Sequence, residues 1–247
     1  MTTSLTTTAV VRAENARKVY GTGETAVIAL DNVTLSIRGG QFTAIMGPSG
    51  SGKSTLMHCL AGLDTLTAGQ AFIGELELGQ LSDRQLTQLR RDRIGFVFQA
   101  FNLLPTLSAL DNITLPIILA GATPDRDWLK KVIATVGLAG RLSHRPAELS
   151  GGQQQRVAVA RALASRPDIV FADEPTGNLD SRSGAEVLQL LRNAQETLHQ
   201  TIVMVTHDPV AASYADTAVF LADGRLAGSL DRPTAPAVLD YLKTLES

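Results

Sequence analysis

The stretch Phe42-Thr43-Ala44-Ile45-Met46-Gly47-Pro48-Ser49-Gly50-Ser51-Gly52-Lys53-Ser54-Thr55-Leu56 decides the fold. Residues 42–46 read as a short apolar strand. The pattern G-x-x-x-x-G-K-[ST] follows at once. Leu56, Met57, Leu60 and Leu63 then fall at helical spacing, which predicts a helix over residues 53–63. A strand, a glycine-rich turn and a helix make half of a βα phosphate-binding unit. Glycines let the turn wrap its N–H groups around phosphate oxygens, and the helix N-terminus adds positive potential. Lys53 can reach β and γ phosphates, and the Ser54 hydroxyl can ligate Mg²⁺.

Outward from this unit the chain reads as α/β with a mainly parallel sheet. Residues 1–8, rich in threonine, are expected to fray. Residues 10–19 and 33–37 predict strands. Residues 82–91 and 127–136 predict helices, in a region broken by Pro105, Pro116, Pro124 and Pro146 with only residues 94–98 strand-like. We read residues 83–166 as a helical subdomain inserted into a core made of residues 1–82 and 167–247. Strand and helix alternate again through residues 169–172, 183–198 and 201–206. A strand pair around Asp223-Gly224 and a helix over residues 237–245 close the chain.

Two further clusters fit a phosphate chemistry. The apolar run 169–172 ends in Asp173-Glu174, which delivers two carboxylates to the carboxyl edge of the sheet, where ligands bind. Asp173 would hold Mg²⁺ and Glu174 would polarise a water, because phosphoryl transfer needs an oriented nucleophile. Alone, such a pair is an ordinary solvated turn; the upstream loop gives it weight. Leu149-Ser150-Gly151-Gly152-Gln153 precedes a predicted helix, and Ser150 with Gln153 fits a capping box that needs no ligand. Two glycines in a first turn are costly for a cap alone, and they leave a helix N-terminus suited to an anion.

Composition narrows the partners. With 22 Lys plus Arg against 24 Asp plus Glu, the net charge of -2 gives no broad footprint for nucleic acid. The single cysteine, Cys59, excludes an internal disulfide and fits a reducing compartment. The start lacks the pattern of a signal peptide, and no stretch is long and apolar enough to span a bilayer, so a transport path has to come from another protein.

Residues 47–55, Gln99, residues 149–153, Asp173-Glu174, the turn Gly177-Asn178-Leu179-Asp180 and His207 together resemble, in order and spacing, the full motif set of the ABC ATPases. The resemblance implies a P-loop NTPase core with N-terminal antiparallel strands and an inserted α-helical subdomain. It implies ATP hydrolysis with Mg²⁺ by a head-to-tail homodimer, in which Ser150, Gly151, Gly152 and Gln153 act on the partner's nucleotide. Gln99 then resembles the glutamine that senses Mg²⁺ and water, and His207 the histidine that contacts the γ-phosphate and orients Glu174. Asp180 resembles the aspartate linking the two sites. Tyr20 resembles the aromatic that stacks on adenine, with a core or surface tyrosine as the alternative. Residues 94–105 and 174–180 are similar to the macrolide-export, lipoprotein-release and FtsE-like subgroup. That implies a separate integral permease with an extracytoplasmic domain, and a peripheral place on the cytoplasmic face of the membrane. The competing class is a soluble ABC-type ATPase acting on nucleic acid or ribosomes. Members of that class carry long coiled-coil insertions or two cassettes, and this sequence shows neither.

Overall fold

The structure, a computed structural model, describes residues 9–245; the threonine-rich start expected to fray lies outside them. In chain order the elements are β1 (Ala9–Tyr20), β2 (Val27–Arg38), β3 (Phe42–Met46), α1 (Lys53–Leu60), β4 (Ala68–Ile73), β5 (Leu76–Glu77), α2 (Asp83–Arg93) and β6 (Ile94–Phe98). They continue as α3 (Ala109–Leu119), α4 (Arg126–Val136), α5 (Gly151–Ala164), β7 (Ile169–Asp173) and α6 (Ser181–Leu198). The last are β8 (Thr201–Val205), α7 (Pro209–Ala212), β9 (Thr217–Ala222), β10 (Arg225–Asp231) and α8 (Ala235–Leu245).

Two sheets form. An antiparallel one has the order β2-β1-β4-β5, and a six-stranded one has the order β10-β9-β3-β8-β7-β6. Within the second, only β9–β10 is antiparallel. Its central strands β3 and β8 are buried at every position, and apolar but for Thr43 and Thr201, because both faces are covered. Ile45, Phe171, Val203 and Leu221 point into one core with α1 and the small sheet. Ala44, Val170, Met204 and Phe220 point into the other, with the helices. The period-two alternation of a strand thus feeds two cores at once.

The structure departs from the sequence reading at identifiable places. The expected strand 33–37 is the second half of β2, which runs through Asp31-Asn32. Asn32 takes a left-handed φ of 58° and the ladder shifts register nearby, so a turn-like dipeptide is absorbed as a bulge. α1 stops at Leu60, ahead of Gly62 at φ 62°. α3 was hidden by Pro116, which the helix carries in its interior. Strands β4 and β5 carried too weak an apolar pattern to be read.

The boundary expected at residue 83 falls too early. Leu86 and Leu89 of α2 bury in the cluster that holds Met57 and Leu60, and β6 pairs in parallel with β7 inside the main sheet. Residues 83–98 therefore belong to the core, and the helical lobe comprises α3, α4 and α5. Trp128 fastens that lobe by donating its ring N–H to the Leu163 carbonyl, 2.9 Å away. No helix among the described residues is long and apolar enough to cross a membrane.

Candidate functional site

β3 ends at Gly47, whose φ of 145° and crowded surroundings leave no room for a side chain; a Cβ there would collide with the Leu221 carbonyl oxygen. Gly52 is caught in the same way against the Ala29 carbonyl, whereas a Cβ on Gly50 would meet nothing within 4 Å. Gly52 is also the N-cap of α1, in left-handed geometry and with no side-chain cap. The first N–H groups of α1 are therefore left for a ligand.

Lys53 folds back over the loop, donating to the carbonyls of Pro48 at 2.7 Å and Gly47 at 3.0 Å. Burial lowers its pKa from the ordinary lysine value, against the opposing charges of Glu174 and Asp173. Burial raises the Asp173 carboxyl; the Glu174 charge adds to this, while His58 and Lys53 oppose it. Two carboxylates beside one partly buried ammonium make a site that gains from added positive charge. Ser54 is exposed at the start of α1.

Glu174 leaves β7 with φ 45°, an uncommon backbone for a non-glycine residue. Its N–H donates to the Val205 carbonyl at 3.0 Å, and its Oε1 lies 2.8 Å from His207 Nδ1. Lys53, Ser54, Glu174 and His207 line one cleft of about 620 Å³ with the glycine loop. Gln99 is turned aside from it. Its Nε2 donates to Asn178 Oδ1 at 3.0 Å, and Asn178 Nδ2 returns a bond to the Gln99 carbonyl.

Tyr20 is 43% exposed, at the end of β1. Its hydroxyl donates to Asp64 Oδ2 at 2.6 Å, and Lys18 Nζ lies 4.8 Å from its ring centre. Burial and the Asp64 bond raise the phenol pKa, against a hydrogen bond from Thr55 in the first turn of α1. The ring thus stands next to the glycine loop with one face toward Lys18.

Ser150 and Gln153 make the capping box read from sequence: Gln153 N–H donates to Ser150 Oγ at 3.3 Å, and Ser150 N–H to Gln153 Oε1 at 3.0 Å. Gly152 packs against Ser183, so closely that a Cβ would press on it at 3.1 Å; Gly151 faces Leu179. The hollow beside Ser150 shares no lining residue with the cleft of Lys53 and Glu174. Asp180 caps α6, accepting from the N–H groups of Ser183 at 3.0 Å and Arg182 at 3.1 Å.

Two polar residues at the site, Gln155 and Arg161, escaped the sequence reading, and Asn178 was read only as part of the turn 177–180. Gln155, buried on α5, reaches the carbonyls flanking Gln99 and Glu174. Arg161 donates to the carbonyls of Phe101 and Asn102, two consecutive left-handed residues just after Gln99. Asn178 holds Gln99. The signal for Gln155 was present: it shares a helix face with Val159 and Ala162, and a polar residue in an apolar stripe must have partners.

The ABC transporter family pattern matches residues 30–177. MJ0796, an ABC transporter ATP-binding protein of Methanocaldococcus jannaschii, is 45% identical over 222 residues, covering 87% of this chain and 94% of that one. The macrolide export ATP-binding/permease protein MacB of Marinobacter nauticus is 47% identical over 218 residues, covering 87% of this chain but 34% of MacB. A dimeric structure of MJ0796 in a post-hydrolysis state, bound to ADP and Pi, superposes with a TM-score of 0.79 at 44% identity, covering 90% of this chain and 98% of that one. This chain accordingly belongs to the ATP-binding family of ABC transporters, as an ATPase whose relatives fall in the macrolide-export subgroup.

Proposed function

We propose that the chain works as a head-to-tail homodimer with two composite ATP sites and drives a separate integral permease bearing an extracytoplasmic domain. The observation that carries the catalytic part is the 2.8 Å contact between His207 and Glu174 at the mouth of the glycine-loop cleft. Residues 47–55 cradle the phosphates, Lys53 exchanges its loop carbonyls for β and γ oxygens, and Tyr20 stacks on adenine.

Glu174 accepts a proton from the attacking water as the water oxygen bonds to the γ-phosphorus. The bond from that phosphorus to the bridging oxygen breaks, and ADP and phosphate leave. His207 holds the carboxylate on that line. Ser54, Asp173 and Gln99 would hold Mg²⁺, which would neutralise phosphate charge. Gln99 has to release Asn178 to take part.

Pairing is supported by the arrangement of the two clefts: Ser150, Gly152 and Gln153, with Gly151 between them, line a hollow that shares no residue with the cleft of Lys53 and Glu174. The dimeric MJ0796 structure supports the same reading. The permease is inferred from MacB, which joins an ATP-binding part to a permease in one chain, and it would place this subunit peripherally on the cytoplasmic face of the membrane. The near-neutral charge gives nucleic acid no footprint. The test is Glu174→Gln, expected to lower kcat by about a hundredfold or more while ATP binding persists. Turnover at the wild-type rate would refute the assignment of the base.

A further inference from the structure

We infer that Gln155 is a positioning residue for Glu174 and Gln99, tying both to the helix that begins at Ser150. The inference rests on the reading of Glu174 as the base. Gln155 is fully buried, and its Nε2 lies 2.5 Å from the Pro175 carbonyl and 3.2 Å from the Phe98 carbonyl. Phe98 immediately precedes Gln99, and Pro175 immediately follows Glu174.

The location explains the residue type. Strands β6 and β7 pair in register from Ile94↔Ile169 to Phe98↔Asp173, and there the ladder ends. Beyond that rung Gln99 turns to Asn178, and Glu174 bends away at φ 45° with its N–H on Val205 of β8. Pro175 has no N–H with which to extend the pairing. The Gln155 amide fills the fork, one hydrogen serving the Pro175 carbonyl and the other the Phe98 carbonyl, which also accepts from the Phe101 N–H at 3.2 Å.

One nitrogen carrying two hydrogens serves both carbonyls without adding a buried charge. Both neighbours are acceptors, so the amide orientation is settled by chemistry: turned over, it would set Oε1 against two carbonyl oxygens. The cost of the arrangement is visible, because Oε1 is buried with no hydrogen-bond partner among the described residues. An apolar side chain of the same size would spare the orphaned oxygen but leave the Pro175 carbonyl without this donor. The half-satisfied amide instead holds the backbone on both sides of the reacting groups from α5, the helix whose cap is offered to the partner's nucleotide.

The test compares Gln155→Met, which keeps length and volume and removes both bonds, with wild type, using turnover per bound ATP so that misfolded protein does not count. The expected result is a fall in kcat of about tenfold or more, with the KM for ATP changed by less than about threefold. ATP-driven dimerisation should persist. Wild-type kcat in a folded Gln155→Met protein would overturn the inference, as would a loss confined to KM or to thermal stability. If that variant does not fold, Gln155→Asn carries the same expectation, since its amide is one methylene too short to bridge both carbonyls. Turnover that survives Glu174→Gln would be a separate failure, of the functional reading.

Discussion

Helices α1 and α5 both carry glycine at their N-terminal end, yet their first turns are completed in opposite ways. α1 starts from Gly52, which has no side chain to offer, and its N–H groups are left to a ligand. α5 starts from Ser150, whose capping box with Gln153 already satisfies the end of the helix within the chain. The first site is built to bind phosphate alone, with Lys53 and the glycine turn around it. The second is capped without ligand, and in the proposed dimer its anion is delivered by the partner. On the proposed pairing, a single fold supplies half of two sites.

The largest effect that would break this contrast is steric. Gly52→Ala drives a methyl into the Ala29 carbonyl and imposes a side chain on a φ of 96°, so it should abolish measurable ATP binding. Gly50→Ala meets open space and should cost only the strain of its φ of 80°, leaving binding weakened by about tenfold or less. Equilibrium binding of a fluorescent ATP analogue separates the two. Equal losses would mean that the loop is shaped by something other than these carbonyls.

Next comes Ser150→Ala. Losing the cap should cost about 1 kcal/mol of stability, read from denaturant unfolding, and ATP-driven pairing should weaken more than that. Monomer affinity for ATP should not change, because the two clefts share no residue. A matched fall in monomer affinity would place Ser150 on its own chain's nucleotide.

The smallest effect belongs to Tyr20. Tyr20→Ala should raise the KM for ATP several-fold with kcat retained, and Tyr20→Trp should keep most of the affinity, as expected of a stacking surface. An unchanged KM in Tyr20→Ala would return the residue to the role of an exposed tyrosine anchored by Asp64. Acid should then loosen that anchor. Burial alone would raise the Asp64 carboxyl, but hydrogen bonds from Lys18, Tyr20 and Thr65 hold it below the usual range. Its contribution to stability is therefore present above the ordinary carboxylate pKa, and it is lost as pH falls through the depressed value.

What the sequence disclosed follows the same division. The β3–α1 unit was legible because its chemistry is local: strand, glycines, lysine and helix follow one another in fifteen residues. The capping box at Ser150 was legible for the same reason. The bonds that hold the backbone around Gln99 and Glu174 were not, because Gln155, Arg161 and Asn178 make them across sequence separations of 20 to 79 residues, which no short pattern encodes. The misplaced lobe boundary has a related cause. β6 looks like an isolated strand among helices until its pairing with β7 is seen. Pro116 hid α3 because a proline that costs one hydrogen bond reads in sequence like a proline that ends a helix.

The central claim is that each ATP is held between the glycine loop of one copy and the Ser150 turn of the other. The most direct measurement is sedimentation of the Glu174→Gln protein with saturating ATP, alone and with Ser150→Phe added. The account expects a dimer carrying two nucleotides for the first, and for the second a monomer that still binds one. A Glu174→Gln protein that binds ATP and stays monomeric, or a Ser150→Phe protein that dimerises equally well, would contradict it.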